Sequence, residues 1–242
     1  MDEKRRNVKF MKKFKLYKIG FQWFCLLIFH CYCRFSVCGR KNLIKGAYIL
    51  CSNHTSHMDS PALMLATRCS FKEFSMLAAK DYFFKRRGKI PFSAKLMNLI
   101  AVDRKHPVKA LREIRRHCKN FKEKKHKLII YPEGTRSTTG ELLPFKKGAA
   151  FTALTLNLPI VPVYIEGTEK TFPKGARMVR PGRIKVYIGK PIYPDAVVAE
   201  SSASSFSERC ALLTETIHTA IVQLRQSTDD NEWQEKEERA WS

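Results

Sequence analysis

From Ala47 onward, short apolar runs alternate with segments of helical pattern, and most runs end in a polar loop. Tyr48–Cys51, Phe74–Ala79, Ile100–Val102, Leu128–Tyr131, Ile160–Ile165 and Ile184–Ile188 read as strands, with Tyr48–Cys51 and Ile160–Ile165 in the core and Ile184–Ile188 alternating with Lys185 and Tyr187. Helices are expected at Pro61–Thr67, Phe92–Leu99, Pro107–Lys125, Ala149–Leu156 and Ser207–Gln226. The clearest is Pro107–Lys125, where Val108, Leu111, Ile114, Cys118 and Phe121 recur at helical spacing. Strands that alternate with helices imply an α/β domain: a mixed, largely parallel sheet with helices packed on it. Pro162 inside a strand suggests an edge or a bulge, because proline cannot donate to a ladder.

Three regions are expected. Residues 1–38 form a basic, then apolar, membrane-anchoring helical segment; residues 39–226 form the α/β domain; residues 227–242 form an acidic polar tail. In the first, eight Lys or Arg lie among the first eighteen residues, interleaved with Phe10, Phe14, Leu16 and Tyr17. Such a segment suits an anionic bilayer surface. Ile19–Cys33 is almost wholly apolar, broken only by Gln22 and His30. It is shorter than the ~20 residues of a spanning helix. A monotopic or re-entrant helix in the cytoplasmic leaflet is favoured over a tilted span.

Charge narrows the partners. Lys and Arg total 45 against 22 Asp and Glu, a formal net charge of +23 over 242 residues. That excess calls for an anionic partner. The basic residues are dispersed, and no nucleic-acid motif accompanies them, so a membrane and an anionic substrate fit better than nucleic acid. The eight cysteines lack zinc-module spacing and read as reduced thiols in a cytosol-facing protein.

The chemistry concentrates in Asn53-His54-Thr55-Ser56-His57-Met58-Asp59, just after the first strand. His54 and Asp59 are five residues apart, which on one continuous helix would set them about 140° apart. With His54 in a loop and Asp59 or Ser60 as N-cap of the next helix, the loop can fold back. Asp59 then accepts from one imidazole nitrogen and leaves the other as a general base. Two other readings stand beside this one: a histidine that merely caps or packs, and a metal site using His54, His57 and Asp59. The metal reading lacks further ligands at suitable spacing.

A second loop, Tyr131-Pro132-Glu133-Gly134-Thr135-Arg136-Ser137, again follows an apolar run. Together, the NHx4D spacing of His54–Asp59 and the EGTRS of Glu133–Ser137 resemble the glycerolipid acyltransferase family, typified by 1-acyl-sn-glycerol-3-phosphate acyltransferases. Ala101-Val102-Asp103-Arg104 resembles the end of that family's second block, and Ile160–Val163 its fourth. Asn98 departs from the pattern, since the second block usually opens with Gly. The resemblance extends from about Gly39 to Ile192. It implies acyl transfer from acyl-CoA or acyl-carrier protein to lysophosphatidic acid. His54 and Asp59 would be catalytic; Arg104, Glu133, Gly134, Thr135 and Arg136 would hold the acceptor. No metal or bound cofactor is implied. Arg136 would take the phosphate, and Glu133 would position the loop or the acceptor hydroxyl. The enzyme would associate with the membrane as a monotopic or peripheral protein with its active site facing the cytoplasm.

Two competing functions remain open at this level. One is a related acyltransferase with another acceptor, such as glycerol-3-phosphate or a lyso-aminolipid. The other is a non-enzymatic basic protein that adheres to membranes or nucleic acid through charge alone.

Overall fold

The structure, a computed structural model, describes residues 16–79, 96–103, 106–199 and 201–227. The sheet has seven strands: β1 (Cys33–Cys38), β2 (Tyr48–Ser52), β3 (Phe74–Ala79), β4 (Leu99–Val102), β5 (Lys127–Ile130), β6 (Ile160–Glu166) and β7 (Gly182–Ile188). Their order is β1-β7-β6-β2-β5-β3-β4. All neighbours are parallel except β6 and β7. The mixed, largely parallel sheet expected from the sequence is therefore present. The central strands β2 and β5 carry runs that are buried at every position. That is the pattern of a sheet covered on both faces.

Alternate residues of each strand feed two cores. On one face Tyr48, Leu50, Ile129, Val163 and Val186 pack with Ala62–Ala66 and with Cys25 and Phe29. These last come from the helix α2 (Asp59–Ala66) and from the N-terminal helix α1 at residues 16–27 with its π-helical turn Ile28–Tyr32. On the other face Ile49, Cys51, Leu128 and Ile130 meet Ile114, Cys118, Ala149, Ala153, Leu213 and Ile217. Those residues line α3 (Pro107–Cys118), α4 (Gly148–Leu156) and α7 (Phe206–Gln226); the short helices α5 (Thr168–Thr171) and α6 (Pro194–Ala199) complete the set. Each fully buried aliphatic side chain contributes about 1.5–3 kcal/mol.

Several local readings shift. Residues 33–38, inside the stretch read as anchor, form edge strand β1, because Cys33 and Val37 turn into the core while Arg34 and Ser36 face out. Leu99 opens β4 rather than closing a helix, and residues 92–95 of that expected helix lie outside the described part. Helix α3 stops at Cys118, and turns carry the chain on to residue 125. The helical periodicity runs past this point because Phe121 is still buried against the same core. Pro162 is on an interior strand, not an edge. Its missing N–H falls at a break, between the Ile160–Ile192 bridge and the first β6–β7 pair, Val163–Ile188. Asn98 has φ +48°, so it supplies the left-handed turn that glycine would otherwise make. Its amide also donates to Phe74 C=O at 2.6 Å.

Because β2, β3, β4, β5 and β6 run in one direction, the loops after them open at one edge, the place where α/β sheets present ligand groups. Gly167, just past β6, has φ +89°, and an added Cβ would lie 1.9 Å from Arg183 C=O. Gly167→Ala should therefore cost roughly 2 kcal/mol or more of stability. A fall in the urea midpoint at constant m-value checks this; an unchanged midpoint contradicts it.

Candidate active site

The chain leaves β2 through Asn53, whose side-chain amide extends the strand's pairing. It donates to Ile165 C=O and accepts from Ile165 N–H, both at 2.8 Å. His54 through Met58 then form a loop, and α2 starts at Asp59. Asp59 does not cap the helix, nor does Ser60; the N-cap residue is Met58, and it makes no side-chain cap. Instead the Asp59 carboxylate turns back into the loop. Its Oδ2 accepts from His54 Nδ1 at 2.8 Å, from Thr55 N–H at 2.8 Å and from Ser56 N–H at 2.9 Å. Its Oδ1 accepts from Thr168 Oγ1 at 2.5 Å. Asp59 is fully buried. A buried carboxylate is costly unless saturated with donors, and four donors saturate this one.

The consequence for His54 is a fixed tautomer. Nδ1 gives its hydrogen to an acceptor-only carboxylate, so Nε2 keeps the lone pair. The His54 side chain is 19% exposed, enough to meet a substrate. Tyr131 stacks on the imidazole, with ring centroids 3.9 Å apart and planes 11° apart. The phenol is itself anchored to Ser60 Oγ at 2.7 Å.

The second loop clamps the first. His54 N–H donates to Glu133 Oε1 at 2.8 Å, and Ser137 N–H donates to His54 C=O at 2.8 Å. The other Glu133 oxygen accepts from Leu143 N–H at 3.2 Å. Both oxygens of Glu133 are thus taken by backbone, so it holds the loop rather than Arg136. Burial pushes the Glu133 carboxyl up to about 7, against the pull of the His54 and Leu143 N–H groups. Gly134 makes the tight turn at φ +70°, Thr135 is exposed, and Arg136 is half-buried. Arg136 stands close enough to His57 to help hold that imidazole below its ordinary pKa, after desolvation and together with His54. Among the described residues no carboxylate pairs with Arg136. Arg104 lies outside the described residues.

Ser56 does not approach His54 as a nucleophile would. Its hydroxyl donates to Phe172 C=O at 2.7 Å and accepts from Met58 N–H at 3.1 Å. Beside the second loop a cavity of about 550 Å³ opens between the sheet and helices α3, α4 and α7. Tyr131, Pro132 and Gly134 line it, together with Ile114, Phe151 and Phe206, and Lys146 and Lys147 are also on its wall.

The sequence reading missed Thr168. It is fully buried, donates to Asp59, and accepts from Thr55 Oγ1 at 2.9 Å. The available signal was a hydroxyl residue directly after the strand end Glu166-Gly167, beyond the Ile160–Val163 block.

The model of the family described as Acyltransferase matches residues 34–166. The chain belongs to this acyltransferase family. A 1-acyl-sn-glycerol-3-phosphate acyltransferase of Cocos nucifera is 44% identical over 100 residues, which are 41% of this chain and 32% of that protein. One from Saccharomyces cerevisiae is 34% identical over 161 residues, 64% of this chain and 50% of that protein. The chain thus spans about a third to a half of the length of these curated relatives. The crystal structure of the 1-acyl-sn-glycerophosphate (LPA) acyltransferase from Thermotoga maritima superposes with a TM-score of 0.65 at 27% identity. That match covers 90% of this chain and 82% of the other.

Two outcomes follow from the hydrogen bonds. Thr168→Val keeps the shape but strips a donor from a buried carboxylate, and should lower the unfolding free energy by roughly 1.5–3 kcal/mol in denaturant titration. The second concerns pH. The folded Glu133 pKa of about 7 lies above the ordinary 4.5, so between those values the folded state binds more protons than the unfolded one. Stability from this group is full below about pH 4.5 and is lost as pH rises through about 7. Compared with Glu133→Gln, the wild type should therefore show an extra downward slope of up to about 1.4 kcal/mol per pH unit in that window. Parallel slopes in the two proteins would exclude it.

Proposed function

We propose that this protein transfers a fatty acyl group from an acyl thioester, acyl-CoA or acyl-carrier protein, to the free hydroxyl of 1-acyl-sn-glycerol-3-phosphate, forming phosphatidic acid. The observation that carries the reading is the His54–Asp59 pair: a base with a fixed tautomer, on a loop held by its main chain from both sides. Family membership and the activity of the relatives favour the substrate class.

In this mechanism the acceptor hydroxyl donates its proton to His54 Nε2 as its oxygen attacks the thioester carbonyl. The Asp59 carboxylate stabilises the imidazolium that forms. The tetrahedral oxyanion then collapses, the C–S bond breaks, and the thiolate leaves with the proton from His54. Direct transfer is preferred to an acyl-enzyme because the Ser56 hydroxyl is engaged with backbone. Arg136 receives the acceptor phosphate through charge-assisted contacts, with Gly134 and Thr135 allowing close approach. Arg104 is assigned to the same phosphate by resemblance. The 550 Å³ cavity beside Tyr131 and Pro132 suits an acyl chain.

The N-terminal helix favours a membrane-associated protein, monotopic or peripheral, with the site facing the cytoplasm. Among the described residues no helix is long and apolar enough to cross a membrane. Lipid acceptor and product would stay in the bilayer while the donor arrives from water.

The test uses purified protein, lysophosphatidic acid in mixed micelles, and palmitoyl-CoA or an acyl-carrier-protein thioester. Wild type should form phosphatidic acid. His54→Ala should lose about 10²–10⁴ of kcat while remaining folded. Arg136→Ala should raise the KM for the acceptor more than it lowers kcat. A folded His54→Ala that keeps its rate would sink the mechanism. Turnover of glycerol-3-phosphate or a lyso-aminolipid in preference would replace the acceptor.

A further inference from the structure

A second cavity, of about 510 Å³, opens at the sheet edge opposite the catalytic loops. It sits where β3 and β4 begin and α3 ends. Its wall carries Lys18, Lys72, Arg116, Lys119 and Lys124, together with His117 and His126, and among the described residues no aspartate or glutamate lines it. The cations come from separate parts of the chain: Lys18 from α1, Lys72 from the turn before β3, and the rest from the end of α3 and the turns after it. Lys18 is held in place by Asn98 Oδ1, to which its ammonium donates. Its pKa is lowered by burial and by the nearby Lys72 charge. Like charges gathered around a concavity with no acid in its wall form a strongly positive pocket, and such a pocket concentrates anions.

Helix α1 supplies the second observation. Leu16, Ile19, Trp23, Phe24 and Leu27 are exposed to 73, 39, 68, 58 and 60% respectively. The opposite side of the same segment is buried through Cys25 and Phe29 and touches Phe71 through Phe21. The helix therefore has one side in the core and an apolar, aromatic side in the open. Lys18 stands on the same turn as Leu16 and Ile19. Twelve helical residues extend about 18 Å. The π-helical turn Ile28–Tyr32 then carries the chain to Cys33, which pairs with Gly182 at the edge of the sheet where the His54 and Glu133 loops open. Cavity and active site thus lie at the two ends of one exposed apolar ridge.

We infer that the Lys18–Lys72–Arg116–Lys119–Lys124 cavity binds the phosphate of an anionic bilayer lipid, one not undergoing reaction, while the exposed side of α1 enters the interface. The occupant is a lipid rather than a soluble phosphate because one of the cations, Lys18, stands on the helix that also carries the exposed apolar side, so phosphate and acyl chains can be met together. The site is separate from Arg136 and the acceptor, and it does not depend on the reaction assigned to His54.

The experiment is vesicle co-sedimentation of the full chain. Vesicles are phosphatidylcholine alone, or phosphatidylcholine with phosphatidylglycerol, at fixed salt. The pocket variant is Lys72→Gln/Lys119→Gln/Lys124→Gln; the control removes equal charge from exposed α3 residues, Lys109→Gln/Arg112→Gln/Arg115→Gln. All six side chains are exposed, so both proteins should keep the wild-type thermal midpoint. The pocket variant should lose about tenfold or more in affinity for anionic vesicles. The control should lose at most about threefold, and neither should change on phosphatidylcholine. Trp23→Ala should weaken binding to both vesicle types. Equal losses in the two triple variants would overturn the site in favour of diffuse charge attraction. Inorganic phosphate that binds the wild type but not the pocket variant, with vesicle binding equal in both, would overturn the lipid and leave a soluble-phosphate site.

Discussion

The Asp59 carboxylate is the point on which the rest of the site depends. It is fully buried and charge-bearing, and only a complete set of donors makes that tolerable. Those donors come from three places: the loop backbone at Thr55 and Ser56, the His54 ring, and Thr168 beyond β6. The same carboxylate therefore shapes the loop, orients the base and joins two strand ends. Removing any one donor leaves a buried acceptor short, which is why a hydroxyl as distant in sequence as Thr168 matters to His54.

Around that anion the loops restrain one another. Glu133 and Ser137 hold the amide and carbonyl of His54, Tyr131 covers its ring, and the Asn53 amide fastens the loop's base to β6. The base is fixed through its main chain as well as its side chain. Preorganisation of this kind lets a base meet a hydroxyl without reorganising during reaction. The parallel β6-β2-β5-β3-β4 arrangement makes it possible by bringing these loops to one edge.

The opposite edge and the N-terminal helix combine apolar exposure with positive charge. Helix α1 gives one side to the core and leaves Trp23, Phe24 and Leu27 uncovered. Basic residues from three chain segments gather at its start. A protein of net charge +23 therefore does not wear that charge uniformly: part of it is focused in a cavity at the sheet edge opposite His54.

The sequence by itself determined the sheet class, because the runs Tyr48–Cys51 and Leu128–Ile130 are apolar without alternation and only a sheet covered on both faces accommodates that. It also singled out His54, Asp59 and the Glu133–Ser137 loop, since polar residues at fixed spacing after buried strands are local features. Local pattern failed where a partner distant in the chain decides the outcome. β1 exists because β7 is beside it, α3 stops before its apolar rhythm does, and Asp59 faces back to donors instead of capping α2. Thr168, 109 residues from Asp59, is marked only as a hydroxyl residue after a strand end, and the cavity that joins Lys18 to Lys124 has no linear signature. Hydrogen bonds and charge clusters depend on distance in space, and only the packed sheet brings those residues within range.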